Sequence, residues 1–381
     1  MLFDLPVYPP SAMLERYPEA PIVVTVDPSA NKRVIQDYLT EELNISRERI
    51  VNYEVYEKIR SCWHADHFAM LEENCWKLCC QVTINNQLPT IYFDKSDTPK
   101  VKVEKLIELR NNIKNALKTG ESCACDGCPN IEMRWTREAT QLIQFYPAFY
   151  KSICNLKCIY CGQPKMRESY SDFDADDVPP ILQELKDENV IDGNTYFRFA
   201  NGEISIIPGR EKMLSMLNGT KTVILSNCVL YDEILAQHLK YGRSFLLCSL
   251  DAGTRETYKK IKGADKFDNV CANLKKYSQI TDIQLKYIFL EGINDSDEDV
   301  SGFINFALEL KPETVKMSKD FRAKTNYNNN TLKQSAKIIS EMNKCGIKTQ
   351  FSDSTYNKEE KEQIEFFVSE LKQQMQGNSN V

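Results

Sequence analysis

Short apolar runs separated by helical stripes mark the first sixty residues as a small α/β unit. PIVVTVD (21–27) reads as a strand. Pro28 and Ser29 then open a stretch in which Val34, Ile35, Tyr38, Leu39 and Leu43 share one face at helical spacing. RIVNYEVY (49–56) predicts a second strand. Periodicity weakens over 57–135, which contains SCWHADHFAMLEENCWKLCC, a strand-like PTIYF (89–93), a charged helix VEKLIELRNNIKNALKTG (103–120) and then SCACDGCP. Gly120 fits a helix stop.

From about residue 140 the rhythm is regular. Strands are predicted at LIQFY (142–146), TYFRFA (195–200), KTVILSN (221–227), SFLLCSLDA (244–252), IQLKYIFL (283–290) and TVKMSK (314–319). Amphipathic helical patterns separate them, among them PILQELKDENV, LYDEILAQHLKYG and EDVSGFINFALEL. Six strand–helix alternations predict a parallel sheet, open or rolled into a partial barrel. In such sheets ligands collect at the carboxyl ends of the strands. A helix near 331–344, a strand IKTQFS (347–352) and a last helix complete the chain. The expected division is 1–60, a cysteine-containing linker or subdomain at 61–138, the barrel at 139–325 and a helical extension at 326–381.

Composition narrows the class. Hydrophobic content of 42%, charge of 27%, a net charge of −6 and a pI near 5.4 are those of a globular protein. The acidic balance argues against nucleic acid as a partner. No apolar run approaches the roughly 18 residues of a membrane span, and the first residues lack a signal-peptide pattern. A cytoplasmic location without membrane association is expected.

Fourteen cysteines demand an explanation in a chain of 381 residues. Disulfide scaffolds are small and secreted, whereas clustered cysteines in a reducing compartment point to metal or cluster binding. Cys154, Cys158 and Cys161 lie in YKSICNLKCIYCGQPKMRE, where the first barrel strand hands over to a loop. A 4Fe-4S cube has four irons, so three thiolates leave one iron free for another ligand. A catalytic zinc is likewise held by fewer protein ligands than a structural one.

C-N-L-K-C-I-Y-C, with Tyr160 before the last cysteine, resembles the C-x3-C-x2-C motif of the radical S-adenosylmethionine (radical SAM) superfamily. The resemblance covers roughly residues 140–325. It implies a partial (β/α)6 TIM-like barrel, a 4Fe-4S cluster on Cys154, Cys158 and Cys161, and S-adenosyl-L-methionine chelating the open iron. It also implies reductive cleavage of S-adenosylmethionine to a 5′-deoxyadenosyl radical that takes a hydrogen atom from substrate. Later strand ends match in order. Asn201-Gly202-Glu203 is similar to the family's Gly-Gly-Glu, with asparagine, which also tolerates positive φ, at the first place. Ser226-Asn227 ends the third strand. Ser249-Leu250-Asp251, followed by TRETYKKIKG, resembles the family's S-L-D…Y-x4-G run, and IQLKYIFL runs into LEGIND. The implied cofactor-binding residues are Tyr160, Asn201, Gly202, Glu203, Ser226, Asn227, Ser249, Asp251, Lys286 and Ser318. Lys286 either neutralises a carboxylate or sits in a polar barrel interior.

The sequence leaves the catalytic residues and the substrate unidentified. The N-terminal segment is Rossmann-like but has no G-x-G-x-x-G turn. It resembles segments attached to enzymes of sugar metabolism, which suggests a sugar-containing small molecule or surface-polysaccharide precursor as substrate. A peptide substrate is the alternative, although no C-terminal cysteine-rich extension follows, Cys345 being the sole cysteine after residue 325. A reductant such as flavodoxin or ferredoxin is the implied partner. A reading of another class is a non-catalytic iron–sulfur or zinc redox sensor. Cys123, Cys125 and Cys128 form a second triplet, a candidate auxiliary iron–sulfur or zinc site with a fourth ligand among Cys62, Cys75, Cys79 and Cys80. His64 and His67 are read as packing or surface residues, His238 as structural, and Cys228, Cys248 and Cys271 as packing residues.

Overall fold

The computed structural model describes residues 22–24, 37–52, 58–72, 74–79, 88–135, 141–147, 153–161, 177–200, 202–241, 243–323, 325–351 and 356–378, with isolated positions 15 and 19. Strands in chain order are β1 (Ile22–Val24), β2 (Ile50–Asn52), β3 (Lys58–Ser61), β4 (Phe68–Leu71), β5 (Cys75–Lys77), β6 (Thr90–Tyr92) and β7 (Glu132–Trp135). They continue as β8 (Gln144–Pro147), β9 (Tyr196–Phe199), β10 (Lys221–Leu225), β11 (Phe245–Ser249), β12 (Asp282–Phe289), β13 (Thr314–Lys319) and β14 (Lys348–Phe351).

The chain divides into two compact units, Met1–Ser61 with Glu132–Glu138, and Cys62–Ile131 with Ala139–Val381. In the smaller unit β1 and β2 pair in parallel, as a βαβ connection requires. β3 and β7 form an antiparallel pair. Leu39 and Ile45 make a small buried cluster. The predicted helical stripe is described from Tyr38 onward, where the turn Tyr38–Glu42 buries Leu39; Val34 and Ile35 lie outside the described residues.

The larger unit holds one ten-stranded sheet in the order β14-β13-β12-β11-β10-β9-β8-β4-β5-β6. It is parallel from β14 through β4, then antiparallel through β5 and β6. Residues 62–131, read in the sequence as a linker or subdomain, thus supply three strands to the barrel sheet. The helix Pro99–Thr119 in that stretch has the start and stop its sequence calls for. Thr98 caps it by accepting from the Val101 amide, proline occupies its first turn, and Gly120 ends it at φ 80°. Val103, Leu106, Leu109, Ile113 and Leu117 form its buried stripe. The Trp76 indole, fully buried on β5, donates to Lys102 O on the same helix at 2.7 Å.

Alternation along the parallel strands separates two faces. Phe197, Phe199, Ile224, Leu246, Leu285, Tyr287, Val315 and Met317 are buried. The helix-facing side of this set is marked by Tyr287, which donates to Asp299 on the helix Asp297–Leu310 at 2.6 Å. The opposite face carries Arg198, Ser249, Lys286, Lys316 and Ser318. Registers of Lys286 with Ser249 and Lys316, and of Ile288 with Ser318, align this polar set toward the strand ends. One close crossing fixes the loop after β11 against the helix Asp297–Leu310. A Cβ on Gly302 would lie 2.3 Å from Gly253 O, and one on Gly253 would lie 1.8 Å from Asp299 O. Only glycine fits at either place.

Candidate active site

The three-cysteine loop is pinned from several strand ends. Lys157 and Ile159 donate their amides to Lys262 O and Ile261 O at 3.0 and 2.9 Å, and Cys161 N closes a turn on Cys158 O. Glu203 N, just past β9, donates to Ile153 O at 2.7 Å. Arg322, past β13, donates from Nη1 to Ile159 O at 2.6 Å. Gly263, which ends the family-like Y-x4-G run, is left-handed at φ 69°, and a Cβ there would press on Lys157 O at 3.1 Å. The glycine therefore serves both as helix stop and as clearance for the loop.

Cys154, Cys158 and Cys161 are all half-buried. Burial pushes the Cys158 thiol up, Lys262 pulls it down, and Asp251 with Cys154 and Cys161 adds to the rise. Bound iron would supply the positive charge that turns these thiols into thiolates. Three thiols on one pinned loop fit the ligand count of a 4Fe-4S cluster with one open iron. Asn227 reaches into this centre, its side-chain amide donating to Asn155 Oδ1 at 2.7 Å and to Cys154 Sγ at 3.6 Å.

Two buried carboxylates organise the strand ends around the loop. Glu203 is fully buried. Its Oε1 accepts from Ser205 N and Oγ and from Ser226 Oγ, and its Oε2 from Asn227 N at 2.6 Å. Burial raises its pKa against the pull of these donors. With four protein donors on its two oxygens, the carboxylate ties the end of β9 to the end of β10. The turn before it is left-handed at Gly202, φ 62°; Asn201 lies outside the described residues.

Asp251 is the second hub, left-handed at φ 57° and fully buried. Oδ1 accepts from Ile288 N at 2.7 Å; Oδ2 accepts from Tyr160 OH at 2.6 Å and Lys262 Nζ at 2.5 Å. Lys262 also donates to Tyr160 OH and to Ser249 O. Burial alone would lower the pKa of Lys262, and Asp251 more than offsets it. Burial and Asp251 together raise that of Tyr160. Asn294, in the LEGIND run, donates to Asp251 O at 2.8 Å and closes the hub from β12. Glu203 and Asp251, expected at the cofactor, thus spend their described hydrogen bonds on positioning the loop and strand ends.

Lys286 is half-buried on the polar face. Desolvation lowers its pKa, Asp251 counteracts, and the cations Arg198, Lys316 and Lys262 lower it further. Asp251 already holds Lys262, and Arg198 and Lys286 lie together on this face. Ser318 is buried and donates to Lys319 O at 3.2 Å. Lys262, Ser205, Arg198 and Arg322 were missed in the sequence. Lys262 had a readable signal, since Tyr258, Ile261 and Lys262 fall at i, i+3 and i+4 on one buried stripe.

Cys228 is fully buried at φ 56°, its thiol donating to Ser226 O in the core. Cys248 is fully buried as well, and Cys271 is half-buried. His238 is buried against Thr222 Oγ1 at 2.9 Å, and burial pulls its pKa down to about 4. His64 and His67 pack against aromatic rings, Trp63 among them. No described helix is long and apolar enough to cross a membrane.

Topology and site together define a largely parallel α/β fold with three cysteines gathered on one loop at its strand ends. Residues 150–307 match the family model of the Radical SAM superfamily, so this stretch of the chain is a radical SAM domain. Such a domain implies a 4Fe-4S cluster and S-adenosylmethionine. Among curated relatives, GTP 3′,8-cyclase of Clostridium botulinum is 24% identical over 158 residues, 40% of this chain and 49% of that protein. Uncharacterized protein MJ0804 of Methanocaldococcus jannaschii is 25% identical over 217 residues, 54% of this chain and 67% of that protein. The chain spans about half the length of the cyclases it matches. Streptococcus suis SuiB bound to S-adenosylmethionine is similar with a TM-score of 0.47 and 16% identity, over 69% of this chain and 56% of that one.

Proposed function

We propose that the chain cleaves S-adenosylmethionine reductively and takes a hydrogen atom from a sugar-containing small molecule that carries an anionic group. The observation that carries the reading is the convergence of Asn227, Asp251 and Lys262, from three separate segments, on the pinned loop that holds Cys154 and Tyr160. Cys154, Cys158 and Cys161 would hold a 4Fe-4S cluster, which would supply one-electron reducing power drawn from a reductant such as flavodoxin or ferredoxin. The chain's own residues do the positioning. Asn227 orients Cys154, the Asp251–Lys262–Tyr160 triad holds the loop between the first and third cysteines, and Glu203 fixes the strand end beneath. Arg198 and Lys286 attract the anionic group by charge. GTP, in the printed name of one relative, is likewise a phosphorylated sugar compound, in keeping with this class.

The test is the formation of 5′-deoxyadenosine by the reconstituted protein with panels of sugar phosphates, their unphosphorylated counterparts and short peptides. Stimulation by phosphorylated compounds alone is the expected result. Stimulation by peptides alone overturns the substrate class.

A further inference from the structure

A second set of thiols lies on the part of the barrel unit built from residues 62–131. The helix Pro99–Thr119 stops at Gly120, and the chain then turns tightly on itself. Asp126 N donates to Cys123 O and Cys128 N to Cys125 O, both at 3.1 Å. The Asp126 carboxylate accepts from Ser122 Oγ at 2.6 Å and Cys123 N at 3.1 Å. Gly127 supplies the left-handed residue at φ 72°. Cys123, Cys125 and Cys128 are thereby fixed on one short loop.

Two more thiols reach this loop from other elements. Cys62 immediately precedes the helix Trp63–His67, and Cys79 follows β5. The electrostatic neighbours of the Cys125 thiol are, from strongest to weakest, Cys123, Cys62, Cys128 and Cys79. Cys62, Cys79 and Cys125 are buried, Cys123 and Cys128 half-buried, and none of the five is in a disulfide. Packing explains a single buried cysteine. It does not explain five from three separate segments, three of them on one short loop.

We infer that Cys123, Cys125 and Cys128, with Cys62 as fourth ligand, hold a second 4Fe-4S cluster. Four cysteine thiolates are the full ligand set of a 4Fe-4S cluster. Four protein thiolates leave no open iron, so this site has no place for S-adenosylmethionine and is separate from the proposed reaction.

The test uses the full chain, reconstituted anaerobically with iron and sulfide. A Cys154→Ala/Cys158→Ala/Cys161→Ala variant is expected to retain about four irons and four sulfides with the Mössbauer spectrum of a 4Fe-4S cluster, against about eight of each in the unaltered chain. Adding Cys125→Ser to that triple variant, or Cys62→Ser, should remove the rest, whereas adding Cys79→Ser should not. An iron-free triple variant overturns the inference, as does one that binds one equivalent of zinc instead. Loss with Cys79→Ser and retention with Cys62→Ser overturns the fourth ligand. If the Cys125→Ser protein fails to fold, the iron content of the triple variant still decides. Formation of 5′-deoxyadenosine by the unaltered chain reports separately on the first cluster, so the two readings fail independently.

Discussion

Replacing Lys262 with methionine tests the buried triad that positions the cysteine loop. Methionine keeps the apolar stem and removes the ammonium, and with it the bonds to Asp251 Oδ2, Tyr160 OH and Ser249 O. The ion pair is almost wholly shielded, with side chains 3% and 0% exposed. Removing one partner leaves the Asp251 carboxylate buried and uncompensated, which costs about 3–5 kcal/mol. With an m-value of about 3 kcal/mol/M in urea for a unit this large, the unfolding midpoint should fall by about 1–1.7 M. Iron retention at Cys154, Cys158 and Cys161 should fall with it, because Tyr160 loses its anchor. Asp251→Asn combined with Lys262→Met should recover part of the loss, since the remaining amide can still accept from Ile288 N and bond Tyr160 without a buried charge. Urea titration by circular dichroism, with iron analysis of the same samples, reads both effects. A single variant within about 0.5 kcal/mol of the parent, or a double variant no better than the single, would falsify the assignment of this pair as the loop's anchor.

Other consequences follow from the same geometry. Gly302→Ala should destabilise by about 1–3 kcal/mol through overpacking on Gly253 O, with the cysteine loop's iron content unchanged; an unaffected melting temperature would refute the close crossing. His238 has its pKa pulled down to about 4, so the unfolded chain binds a proton below about pH 6.5 that the native one refuses. Its stabilising contribution is therefore whole above pH 6.5 and is lost as pH falls toward 4, about 3 kcal/mol in all. His238→Gln should flatten that limb, and equal acid sensitivity in both proteins would contradict it. Lys286→Met should weaken an anionic substrate by about 10- to 100-fold, a charge-assisted bond's worth, and leave an uncharged analogue unaffected; equal losses for both would remove Lys286 from anion binding.

Much of the barrel was legible because each strand is a compact apolar run bounded by a helical pattern. All six predicted strands appear, β8 to β13, with ends shifted by at most three residues. β4 was not legible. Phe68–Leu71 is buried at every position, so it lacks the alternation that reveals a strand, and it sits between cysteine-rich turns. The cysteine triplet and the carboxylates at strand ends were readable from spacing and order. What those carboxylates touch was not, because the Glu203 donors lie up to 24 residues away, and Tyr160 meets Asp251 across 91 residues. Lys262 was overlooked because a lysine in a charged helix reads as solvated. Its place on the Tyr258–Ile261 stripe shows that one such lysine is buried.

The most direct test of the account is the reaction of the anaerobically reconstituted protein with S-adenosylmethionine and a strong reductant, followed by quantification of 5′-deoxyadenosine. The account predicts product from the full chain and its loss in Cys158→Ala, in parallel with loss of about four irons. A protein with its iron loaded that yields no 5′-deoxyadenosine, or a Cys158→Ala variant that still yields it, would contradict the assignment of Cys154, Cys158 and Cys161 as the reactive centre.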